Sequence, residues 1–227
     1  MIKLSASTLN LFLECPRCFW LHINKNIRRP EKPVATITTG LDRVIKEYFN
    51  QYRKQGRLPP LLEGKIPGKL ISSLPNWLEF VDRSHDAKLY GYLDECLEID
   101  NNLYAVLDHK TRGSIPENTH PAYQLQMDVY TFLLEKNNYP TKRLAYLVYY
   151  IPKEGLLHNG FQFHLHITEV KTEPERAKDI FYSAVSILKE GKTPKAKEEC
   201  SYCNWLNLMK EVLHGGKGDR QNHPLLW

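Results

Sequence analysis

Residues 91–110 read GYLDECLEIDNNLYAVLDHK, and apolar and polar side chains alternate along most of that length. Leu89–Ile99 and Leu103–Leu107 each carry the period of two that marks a strand. Asp100, Asn101 and Asn102 between them are turn formers. The spacing predicts an antiparallel hairpin with a three-residue loop. Ile99 then pairs with Leu103, and the same register carried outward sets Asp94 opposite Asp108. Directly opposed residues share a face, with Cβ atoms about 5 Å apart, and Lys110 lies on that face too, two residues past Asp108. A two-residue loop alone shifts the register by one and parts the two acids, so the turn matters.

Two adjacent carboxylates repel unless a cation lies between them. Hard oxygen ligands with open water positions suit Mg²⁺ or Mn²⁺. Such an ion polarises a phosphoryl oxygen and lowers the pKa of a bound water, while Lys110 is placed to orient or deprotonate that water and offset developing charge. This is the outline of phosphodiester hydrolysis. Against it stands the commoner meaning of an isolated Asp-x-Lys on a hairpin, a solvated face with weak pairs. His109 turns its ring from this face by alternation, so its backbone carbonyl is the atom that reaches a metal. Glu95 lies on the opposite face, outside the cluster. Arg112 and His120 follow close enough in sequence to meet phosphates, although exposed loop charges are more often just that.

The rest of the 227-residue chain frames this hairpin. A helix capped by Ser5 or Ser7 carries Leu4, Leu9, Phe12 and Leu13 on its apolar side. ECPRCFWL after it reads as a turn packed into the core, and Arg28–Pro33 as a loop. Thr39–Tyr52 has helical spacing, Leu58–Pro75 is irregular with four prolines, and Asn76–Val81 is expected as a short helix. A helix starts at Pro121, Arg143–Ile151 and Gly160–Val170 are strands, and Pro174–Glu190 is a helix closed by Gly191. The tail HGGKGDRQNHPLLW is expected to be mobile or to dock through its last residues.

Composition narrows the class. Hydrophobic residues make up 42% and charged residues 25%, which suits a globular chain with one ordinary core or two small ones. No apolar run reaches the roughly 18 residues of a membrane span, and MIKLSASTLN lacks the order of a signal peptide, so a cytoplasmic location is expected. The balance of 31 Lys and Arg against 26 Asp and Glu, +5, fits a phosphate-bearing partner and many other proteins equally. Cys15 and Cys18 form one C-x-x-C, and Cys200 and Cys203 another. In a reducing compartment the pairs point to a metal, either zinc or a [4Fe–4S] cluster; spacing alone favours zinc. Cys96 reads as a buried small apolar residue.

GYLDECLEID followed by YAVLDHK resembles the strand–turn–strand core of the PD-(D/E)XK nucleases, in their RecB-like branch. Gln126-Met-Asp-Val-Tyr130 resembles the Q-x-x-x-Y motif of that branch; the two residues share a helix face at i and i+4, where Tyr130 alone reads as core and Gln126 as its neighbour. Cys15-Pro16-Arg17 and Cys200-Ser-Tyr-Cys203 resemble the early Cys-Pro-Arg and late C-x-x-C of RecB-like nucleases of the iron–sulfur type. The resemblance runs from Cys15 to Cys203. It implies a restriction-endonuclease-like α/β fold, a mixed central sheet flanked by helices, as a single domain over residues 1–227. It implies Mg²⁺ or Mn²⁺ on Asp94, Asp108 and the His109 carbonyl, catalysis by Lys110, and Gln126 and Tyr130 facing the site; Arg112, from its position alone, is expected to contact substrate. It implies a [4Fe–4S] cluster on the four cysteines. The implied partner is DNA, single-stranded or with ends rather than a specific duplex site, within a helicase, repair or defence complex and away from membranes. Two departures stand out: the family carries one early and three late cysteines, so Cys18 substitutes for a late one, and the metal-binding histidine that the branch often carries on the helix after its first glycine is missing after Gly40, where Asp42 is the candidate replacement. The alternative is an inactive nucleic-acid-binding module with a nuclease-like fold and structural zinc.

Overall fold

The computed structural model describes residues 1–30, 36–73, 77–100 and 102–213, apart from the side chain of residue 159. The expected mobile tail and Asn101 of the expected loop lie outside the described residues, as do residues 31–33 of the expected loop and Asn76. The strands are β1 (Ile2–Ser5), β2 (Lys69–Leu70), β3 (Trp77–Asp82), β4 (Ala87–Tyr92), β5 (Glu95–Asp100), β6 (Leu103–Thr111), β7 (Thr141–Pro152) and β8 (Phe163–Lys171). The α-helices are α1 (Ala6–Glu14), α2 (Pro16–Lys25), α3 (Thr36–Arg53), α4 (Pro121–Lys136), α5 (Pro174–Lys189) and α6 (Ser201–Leu213). The chain divides into two compact units, residues 1–9 with 32–185, and residues 10–31 with 186–227. No helix among the described residues is long and apolar enough to cross a membrane.

The larger unit holds two mixed sheets. One has the order β1-β4-β3, with β1 parallel to β4; the other runs β2-β5-β6-β7-β8, and only β6 and β7 are parallel in it. A parallel pair needs a crossover, and α4 supplies it. That helix buries Leu125 and the whole run from Met127 to Leu134, because it packs on β3 and β4 of one sheet and on β6 and β7 of the other. A helix apolar on all sides is a buried one. On the five-stranded sheet's other face, α3 sets Leu41, Ile45, Tyr48, Phe49 and Tyr52 against Leu97, Leu107, Val148 and Tyr150. The spacing of those α3 residues is the amphipathic period. This is the mixed α/β fold, helices flanking the sheet, that the motifs imply.

The hairpin departs from expectation in an instructive way. The body of β5 and β6 keeps the expected register, with Glu95 opposite Leu107, Cys96 opposite Val106 and Leu97 opposite Ala105. At the turn, however, Asp100 pairs with Leu103, which leaves two residues between them rather than three, and a bulge lies between Glu98 and Asp100. The bulge absorbs one residue and restores the register that the shorter loop shifts. Leu89–Ile99 is not one strand: it breaks at Leu93–Asp94, and its first half belongs to the three-stranded sheet.

Three other segments differ from the sequence expectation. Residues 77–82 form β3 rather than a helix; Leu78 and Phe80 point inward at a period of two, and Phe80 meets Phe132 and Phe181 edge-on at 5.2 and 6.1 Å. ECPRCFWL is no turn. Cys15 is extended, Pro16 opens α2 with its ring already at a helical φ, and Asn26 ends that helix in the left-handed region at φ 54°. Nor do β1 and α6 have a counterpart in the expected layout.

Candidate active site

Asp94 occupies the break between β4 and β5, where it has no ladder partner. Carried one residue beyond the last pair, the register faces Asp94 with Asp108, and Asp94 Oδ2 accepts the backbone N–H of His109 at 3.3 Å. Asp108, in the middle of β6, is only 3% exposed in its side chain. Burial pushes its carboxyl up to about 6; Lys110 pulls it back and the charge of Asp94 adds to the rise. Lys110 Nζ lies 2.6 Å from Asp108 Oδ2, but off the angle of a hydrogen bond, so that buried oxygen has no hydrogen-bond donor among the described residues. A partly exposed acid beside a buried, undersatisfied one makes a hard-oxygen site that fits a divalent cation.

Lys110 is fixed from α4. Its ammonium donates to Gln126 Oε1 at 2.9 Å and sits 4.6 Å from the Tyr123 ring. A lysine only donates, so the Gln126 oxygen must face it. The Gln126 amide nitrogen is thereby left to donate to the Tyr130 hydroxyl at 3.0 Å. Burial raises the Tyr130 phenol to about 12. The sequence residues Lys110, Gln126 and Tyr130 thus form one continuous chain ending on Asp108. Gly91 makes room for it: a Cβ there lies 2.7 Å from a Tyr130 ring carbon and 3.1 Å from Leu133.

Other expected participants lie apart. His109 places its ring on the α3 side, 4.3 Å from Phe49, with Nδ1 3.3 Å from the Tyr150 hydroxyl. Burial drives that imidazole down to about 3, which keeps it neutral. Arg112 does not join the acids; its N–H donates to Tyr150 O at 3.1 Å and its side chain borders a groove beside α3. His120 caps α4 by accepting the Ala122 N–H at 3.2 Å. Glu95 is buried against Arg53. Cys96 is buried, with its thiol pushed up to about 12. Sequence reasoning missed Lys46, whose ammonium sits 2.9 Å from Asp42 and 3.9 Å from Asp94. It therefore links the candidate third acid to the pair. The available signal was the i,i+4 spacing of Asp42 and Lys46 on one helix.

The smaller unit contains the cysteine quartet. Cys15 and Cys18 flank the start of α2, Cys200 precedes α6 and Cys203 lies in its first turn, all buried. Their sulfurs lie within 4.8 Å of one another, with Cys15–Cys203 at 3.9 Å, Cys18–Cys200 at 3.7 Å and Cys18–Cys203 at 3.6 Å. Burial opposes ionisation of Cys15, yet N–H groups of Cys18 and Lys197 outweigh it and bring that thiol to about 6. Burial and neighbouring sulfurs push Cys203 the other way. Such a quartet cannot ionise together without a cation inside it. Arg29 adds a positive charge, its guanidinium 3.7 Å from Cys200 Sγ and 4.7 Å from the Tyr202 ring.

A family model described as the PD-(D/E)XK nuclease superfamily matches residues 64–208, which include both acids, Lys110, Gln126, Tyr130 and the late cysteines. Among solved structures, that of SSO0001 is similar at 13% identity and a TM-score of 0.44, over 90% of this chain and 84% of that one. No curated protein sequence matches the chain.

Proposed function

Because the chain belongs to the PD-(D/E)XK nuclease superfamily, we propose that it is a metal-dependent nuclease that hydrolyses DNA phosphodiester bonds, on single strands or near ends. The observation that carries this reading is Lys110, held 2.6 Å from buried Asp108 and anchored by Gln126. A solvated surface pair needs no such anchor. Asp94, Asp108 and the His109 carbonyl would hold Mg²⁺ or Mn²⁺, which would supply a Lewis acid and a water of lowered pKa. Lys110 would orient the attacking water and offset charge on the phosphoryl oxygens, with Gln126 and Tyr130 keeping the ammonium in place. Arg112 contacts the substrate backbone.

We read the whole chain as one nuclease-like domain of the RecB-like branch, working in the cytoplasm with a helicase, repair or defence complex. The cysteine quartet serves it as a structural metal centre. Four thiolates about 2.3 Å from a single ion stand about 3.8 Å apart in a tetrahedron. Three of the sulfur separations are 3.6–3.9 Å and all four sulfurs lie within 4.8 Å of one another, which supports one zinc, the alternative to the [4Fe–4S] cluster that the motif resemblance implies. Metal analysis of protein purified without air distinguishes the two. One zinc and no colour is expected, and brown protein rich in iron and sulfide overturns that assignment.

The activity is tested by incubating purified protein with single- and double-stranded DNA and Mg²⁺ or Mn²⁺, beside Asp108→Ala. Wild type is expected to cut and the variant to be inert; equal inertness of both returns the inactive binding module.

A further inference from the structure

An apolar groove of about 560 Å³ opens on the larger unit, within the roughly 300–1,000 Å³ of small-ligand sites. Its walls include Leu41 and Val44 of α3, Arg112 just past β6, Tyr150 of β7, Phe161 two residues before β8 and Phe163 at its start. Phe161 is 71% exposed and Val44 57%, so large apolar surface faces outward here. The groove continues the acidic site along two elements. On α3, Leu41 and Val44 border it while Asp42 and Lys46 reach Asp94. On β6, Asp108 and Lys110 are followed at once by Thr111 and Arg112 of the groove wall. Thr111 and Arg112 stand three and four residues past Asp108, about 10–13 Å along the strand, so the groove is placed to meet nucleotides flanking a phosphate held at Asp108. The Arg112 side chain makes no ion pair or hydrogen bond among the described residues.

We propose that this groove takes unpaired bases next to the scissile phosphate, with Phe161 and Phe163 as stacking surfaces and Arg112 at the polar edge. Aromatic side chains beside a cationic edge bind single strands through base faces and backbone together. Bases inside a duplex keep their faces covered, so the groove selects single-stranded DNA or frayed ends. The proposal rests on the nuclease reading above, and it supplies the reason for the substrate preference.

The test uses the full chain carrying Asp108→Asn, so that bound strands are not cut. Fluorescence anisotropy compares a short oligothymidylate, an abasic strand of the same length and a blunt duplex. Oligothymidylate is expected to bind more tightly than either. Adding Phe161→Ala with Phe163→Ala lowers its affinity about 10- to 100-fold, and leaves the abasic strand unchanged. Phe161→Trp retains the affinity, and Phe161→Ala, at an exposed position, provides a folded variant if the pair fails to fold. The proposal is overturned if wild-type affinity survives in the alanine variants, which gives the groove to an apolar side chain of a protein partner. Equal losses for base-bearing and abasic strands overturn it too. Cleavage assays on the same substitutions with Asp108 intact separate the two readings. Base-selective binding without cleavage removes the nuclease and keeps the groove. Cleavage of single strands with an unchanged KM removes the groove and keeps the nuclease.

Discussion

Asp108 is a charged group held where charge is disfavoured. Burial pushes its carboxyl up to about 6 in the fold, against about 3.9 in an unfolded chain. Between those values the folded state binds more protons than the unfolded one, so this residue's contribution to stability falls as pH rises through that window, and stays lower above it. Metal-free Asp108→Asn should therefore melt higher than wild type at pH 7.5, with the advantage shrinking as pH falls from about 6 to about 4 and gone below that; each kcal/mol corresponds to roughly 2–4 °C at this size. Adding Mn²⁺ should raise the melting temperature of the wild type alone, because only its site holds the ion. Thermal melts across pH, with chelator and with Mn²⁺, check both. Equal melting of the two proteins at pH 7.5 rejects the strained carboxylate.

At the scale of elements, the site depends on how closely α4 approaches β4. Gly91 is the contact, and an added methyl meets the Tyr130 ring at 2.7 Å. Tyr130 is itself wedged in a buried run of α4, so neither partner yields freely. Gly91→Ala should destabilise by about 1–3 kcal/mol and lower kcat through displacement of the Tyr130–Gln126–Lys110 chain. Urea denaturation with steady-state kinetics measures both, and a variant of unaltered stability contradicts the packing argument. Arg53 illustrates a different dependence between elements. It reaches from α3 to the buried Glu95, whose carboxyl burial raises and Arg53 opposes. A glutamate facing away from the acids is thereby accounted for as a packed ion pair.

Across the whole molecule, the smaller unit joins two chain segments far apart in sequence. Besides the sulfurs, they share the Arg17 Nε donation to Pro194 O at 3.2 Å and the Asn24 donation to Leu188 O at 3.0 Å. A metal centre closing so long a loop adds stability that the metal-free chain lacks. Cys200→Ser is expected to lose the bound metal, lower the melting temperature and expose residues 10–31 and 186–213 to protease. Metal analysis and limited proteolysis test this, and a metal-free variant that stays resistant removes the structural role.

The sequence alone determined what local chemistry controls. Alternation through residues 95–107 set the register that faces Asp94 with Asp108, Pro121 marked the start of α4, and the two C-x-x-C pairs announced a shared site. Those signals are local because period, turn residues and thiol spacing act within a few residues. Only the tertiary structure decided how the pieces are shared out. It broke the expected strand at Leu93–Asp94 and sent its halves to different sheets, because β1 and β3 pair with β4 on its two sides while β5 pairs with β2 and β6. It replaced a three-residue loop by two residues and a bulge, and made residues 77–82 a strand. It also brought Lys46 to Asp94. Strand partners and charge neighbours come from distant parts of the chain, and no local period encodes them.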